Sequence, residues 1–119
     1  MTLIELMVSV AIASIAILST MYVMLEARQL SMEARQRLLA ANAARSVLEV
    51  VKDTALTSVS SISTTAYVPS TLPSGAITIT TNPSNVTGVT IATVTVNVSW
   101  KGAKNRTQNL AITTQRSMY

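Results

Sequence analysis

Hydrophobic and polar positions follow three different patterns along this chain, and each predicts a different element. From Met1 to Leu25 the stretch MTLIELMVSVAIASIAILSTMYVML is apolar almost without interruption and carries one carboxylate, Glu5. From Glu26 to about Ala55, apolar positions such as Leu30, Leu38, Leu39, Val47, Leu48, Val50 and Val51 are interspersed with charges and alanines. No glycine or proline occurs before Pro69. Both weaken helix interiors, so the pattern predicts one helix running through residues 1–25 and continuing as an amphipathic segment over 26–55.

The third pattern begins at Ala76, where the period becomes two. Ile77 and Ile79 share one face of a short strand, and a turn is predicted from Asn82 to Gly88. The run VTIATVTVNVSW places Val94, Val96, Val98 and Trp100 on one face and Thr95, Asn97 and Ser99 on the other. Val89 and Ile91 have the opposite parity, which predicts a bulge near Ala92 and Thr93 that returns them to the apolar face. Lys101 to Asn105 is read as a hairpin, after which Arg106 to Thr114 returns with Leu110 and Ile112 facing inward. The fold class expected is α+β: a long N-terminal helix with a small antiparallel sheet of three or more strands, residues 76–119, packed on its C-terminal half. Trp100 is read as a core or sheet-edge anchor. Between helix and sheet, Thr54 to Gly75 is uncharged, rich in serine and threonine and ends in two proline-containing turns. Residues 56–75 are therefore expected to be an exposed connecting loop.

The first pattern carries the most chemistry. From Leu6 to Leu25 no residue is charged, and at about 1.5 Å of rise per residue those positions match the roughly 30 Å hydrocarbon core of a bilayer. A carboxylate at membrane depth costs at least ~2.5 kcal/mol on insertion scales, so Glu5 needs a partner or a place at the interface. Two roles fit. Glu5 sits near the helix start, where it suits the positive end of the dipole, and it lies about one turn from the α-amino group of Met1, so that in a bundle of identical helices each carboxylate can meet a neighbour's ammonium. No basic residue precedes the apolar run, whereas five follow it from Arg28 to Lys52. That flank conflicts with an outward-facing downstream portion, and a basic leader removed after insertion resolves the conflict.

Met1-Thr2-Leu3-Ile4-Glu5-Leu6 followed by an apolar helix resembles the mature N-terminus of type IV pilins and pseudopilins. The resemblance implies cleavage by a prepilin peptidase, N-methylation of Met1, and assembly through Met1, Thr2 and Glu5, with the Glu5 carboxylate neutralising the terminal amine of the adjoining subunit. It further implies a homo-oligomeric helical filament built by pilus assembly machinery. The subunit is held in the bacterial inner membrane beforehand and extracellular afterwards, or periplasmic in a pseudopilin. The chain departs from the family in having Ser14 where glycine is frequent, Tyr22 where proline is frequent, and no cysteine for a C-terminal disulfide loop.

Composition narrows the remaining functions. There is no histidine or cysteine and only 12% of residues are charged, so no catalytic, cofactor-binding or metal site is predicted, and the serines have no evident base. All five acids, Glu5, Glu26, Glu33, Glu49 and Asp53, fall in the helical part, whereas Lys101, Lys104, Arg106 and Arg116 follow without a carboxylate. The first three cluster at one hairpin and form a candidate surface for DNA or other anionic surfaces, although a solvated hairpin is the simpler reading. Asn85, Asn97 and Asn105 each begin an N-glycosylation triplet, a pattern of low specificity in so threonine-rich a chain. The function expected is that of a structural subunit of a type IV pilus-like filament serving adhesion, motility or DNA uptake; the alternative is a minor pseudopilin of a type II secretion system.

Overall fold

The computed structural model describes residues 2–117 of the chain. Helix α1 runs Leu3–Asp53, as the absence of glycine and proline dictates. Strands β1 (Ala76–Asn82), β2 (Ile91–Lys101) and β3 (Thr107–Ser117) form one antiparallel sheet in the order β1-β2-β3. The fold is α+β, and the chain divides into two compact units, residues 1–33 and residues 34–119.

In the first unit the described residues are exposed, except for a half-buried Glu33. Four of its hydroxyls are turned back onto the helix: Ser9, Ser14 and Ser19 each donate to the carbonyl four residues earlier, at 2.8 Å, and Thr20 donates to Ala16 in the same way. This removes the cost of placing a free hydroxyl in an apolar medium.

In the second unit, α1 buries Ala40, Ala43, Ala44, Val47 and Val51, a spacing that keeps them on one helical face. Three of these five are alanines. Opposite them lie Ala92, Val94, Val96, Val98 and Trp100 of the central strand β2. Ile77 pairs across to Val98 and Leu110, and Ile79 pairs to Val96 and Ile112, so the apolar rows of all three strands are in register on the helix side. Trp100 is 3% exposed and belongs to the core.

Two expectations are corrected. No bulge occurs at Ala92 and Thr93: the pairing of β2 with β3 continues without a break from Ile91 opposite Ser117 to Lys101 opposite Thr107. Ala92 is the next core residue before Val94, and Ile91 stays 58% exposed on the other face. A small alanine satisfies the space that the bulge would have given to isoleucine. The stretch 56–75 is also more than an exposed loop. It forms 3-10 turns at Leu56–Ser61 and Thr65–Tyr67, and it contributes Leu56, Val59 and Leu72 to the core. Leu56, Val59 and the half-buried Ile62 are three residues apart, the spacing at which side chains eclipse in a 3-10 helix.

Candidate assembly and anion-binding surfaces

The residues singled out at the N-terminus occupy a helix cap. Thr2 precedes α1, and its Oγ1 accepts the backbone N–H of Glu5 at 3.3 Å while its carbonyl accepts that of Leu6 at 3.1 Å. Thr2 and Glu5 therefore stand at the N-cap and third positions with the spacing of a capping box, of which the N-cap hydrogen bond alone is formed. The Thr-x-x-Glu spacing is visible in the sequence and is the signal by which the cap could have been found. Glu5 is exposed in the first turn, where helix amides favour a carboxylate. Among the described residues its carboxylate has no hydrogen-bond or ionic partner. Met1, the expected methylation site and amine donor, lies outside the described residues.

From this cap the first unit presents an uninterrupted apolar surface. Leu3 and Ile4 are 76% and 74% exposed, and residues from Leu6 to Leu25 such as Ile12, Ile15, Leu18 and Val23 are similarly uncovered. By length and composition the helix is able to cross a membrane. At ~25 cal/mol per Å² of apolar surface, such a face gains strongly from lipid or from other helices.

The basic hairpin is closed by the Gly102 N–H donating to the Arg106 carbonyl at 2.8 Å, which sets Lys101 and Arg106 on its two arms. Lys104 occupies the turn with φ 58°, followed by Asn105 at φ 56°. Lys104 and Arg106 are exposed, whereas Lys101 is half-buried, its Nζ donating to Thr107 Oγ1 at 3.1 Å and its backbone N–H to Pro73 at 2.8 Å. The three cations therefore share one hairpin, with two of them open to solvent ligands.

Arg116 does not join them. Its guanidinium donates to the carbonyls of Val51 and Thr54, at the end of α1. There it caps carbonyls that the helix leaves without donors and complements the negative end of the dipole. Of the three glycosylation triplets, Asn97 lies in the middle of β2 between Thr78 of β1 and Ala111 of β3, and its buried Oδ1 has no partner among the described residues. Asn85 and Asn105 are exposed. Searches against family models, curated proteins and solved structures find no match to this chain.

Proposed function

We propose that the chain is a structural subunit of a type IV pilus-like filament, held in a membrane by its apolar helix and then assembled through that same helix. The observation that carries this reading is the wholly uncovered apolar helix of residues 3–25, capped by Thr2 and bearing one carboxylate, Glu5, in its first turn. Lipid and a bundle of identical helices both cover such a surface, so one face serves before and after assembly. Glu5 then meets the terminal ammonium of the adjoining copy, which sets the axial register. The chain is not an enzyme in this reading. Its exposed cations at Lys104 and Arg106 add a weak attraction for anionic surfaces or DNA that falls as salt rises.

The test separates insertion from assembly. Glu5→Ala is expected to leave the chain in the membrane fraction and to abolish its recovery in filaments sheared from the cell surface. Sheared filaments at the wild-type yield would sink the proposed pairing. Intact-mass analysis of the same material asks whether Met1 carries a methyl group. A methylated chain found only in the membrane and absent from sheared filaments would replace this reading with a minor pseudopilin of a secretion system.

A further inference from the structure

The two edges of the sheet are treated differently. Along β1, the 3-10 turns of residues 56–67 lie against the outer edge, and the Thr64 hydroxyl donates to the Ile77 carbonyl at 2.8 Å. Among the described residues, no segment hydrogen-bonds to the outer edge of β3 between Gln108 and Gln115. That run, QNLAITTQ, contains no proline, no charge and no bulge. These are the devices that ordinarily keep an edge strand from pairing.

We infer that β3 docks against the β3 strand of a second copy of this chain, antiparallel, joining two three-stranded sheets into one. With β2 central and β1 covered, β3 is the edge that a second copy can offer. Exposure alternates along Thr107–Ser117, with even-numbered positions half-buried. A twofold axis at Ile112, the midpoint of the strand, sets Leu110 opposite Thr114 and Ala111 opposite Thr113 of the second copy. Half-buried residues then meet half-buried ones, and the open sides of Leu110 and Ile112 are covered. Charge selects the antiparallel direction. The Lys101, Lys104 and Arg106 hairpin stands at one end of β3, so antiparallel pairing separates the two hairpins by about 35 Å, well beyond the Debye length; Arg116, which this register sets opposite Gln108 of the copy, is turned to the carbonyls of Val51 and Thr54. Parallel pairing would bring the two hairpins together.

The inference stands apart from the filament reading and is tested on the full chain in detergent micelles. Ala111 and Thr113 are exposed, so charges there leave the core intact. Crosslinked wild-type protein is expected to show a dimer. The double variant A111K/T113K and the double variant A111E/T113E are each expected to lose it at least tenfold, roughly the effect of two directly opposed like-charge pairs. Mixing the two variants restores a dimer through opposite charges. Trp100 fluorescence unchanged from wild type confirms that both variants are folded. A monomeric wild type overturns the inference, and so does a dimer that persists in both variants, which would come from the apolar helix. Loss in both variants without rescue on mixing overturns β3 self-pairing and leaves another element as the partner.

Discussion

The guanidinium of Arg116 holds the end of α1, where the last carbonyls of a helix have no intrahelical donors. It does so across 65 residues of sequence, from β3 to Val51, and also reaches Thr54. Arg116→Met keeps the length of the side chain and removes the donors, and is expected to lower stability by about 1.5–3 kcal/mol, the range for hydrogen bonds to charged groups. Arg116→Lys should recover part of the loss through its charge at the helix terminus. Chemical denaturation followed by fluorescence of Trp100, buried at 3% exposure, reads both changes; an unshifted midpoint in Arg116→Met would show that the cap contributes nothing. Residue-scale chemistry was unevenly legible. Thr2 and Glu5 carry their cap in a four-residue spacing, whereas nothing local distinguishes Arg116 from Lys104, since its partners are backbone groups distant in sequence.

At the scale of elements, the stretch between α1 and β1 is structural. Leu56, Val59 and Leu72 are each at most 5% exposed, and the turns that carry them cover the edge of β1. Leu56→Ala is expected to cost about 2–5 kcal/mol as a cavity in a closed core. Thr57→Ala, at the exposed neighbouring position, should stay within about 0.5 kcal/mol. Equal effects of the two substitutions in urea denaturation would return this segment to the status of a loop. Polar composition masked the three-residue spacing of Leu56, Val59 and Ile62, because serine and threonine fill the solvent side of a 3-10 turn as readily as they fill a loop. The strands were more legible: alternation at Val94, Val96, Val98 and Trp100 specified the buried face of β2. Ala92 extends that face, but alanine carries too little hydrophobic signal to outweigh Ile91 beside it.

At the scale of the molecule, the buried core among the described residues falls within residues 40–100, and the half-buried hydrophobic side chains packed on it run from Leu39 to Ile112. The core therefore needs nothing from residues 1–33. A chain beginning at Ala34 is expected to unfold cooperatively with Trp100 as reporter and to remain in solution without detergent. Loss of the unfolding transition on truncation would show that the first unit supports the second. The charge distribution belongs to this scale as well. Once Arg116 is assigned to the helix end, the cations open to solvent in the sheet region reduce to Lys104 and Arg106, with Lys101 partly held by Thr107. Lys104→Glu with Arg106→Glu should abolish any salt-sensitive retention on an anionic resin that the wild type shows. Retention unchanged by the pair would assign it to the helix arginines.

The sequence by itself determined the elements whose signals are periodic and local. These are the helix without a breaker, the apolar length sufficient to cross a bilayer, the Glu5 carboxylate in its first turn, and the alternating face of β2. Each depends on neighbours within a few residues, where helical or pleated geometry converts spacing into a face. Tertiary structure alone decided which surfaces those faces meet. It set three alanines of α1 against the valines of β2, closed the 3-10 turns over β1, turned Arg116 from a surface charge into a helix cap, and left the outer edge of β3 between Gln108 and Gln115 unpaired among the described residues. These outcomes depend on packing and on hydrogen bonds between segments tens of residues apart. A one-dimensional pattern does not encode them, because the same residue types serve equally well at the surface until a partner is brought to them.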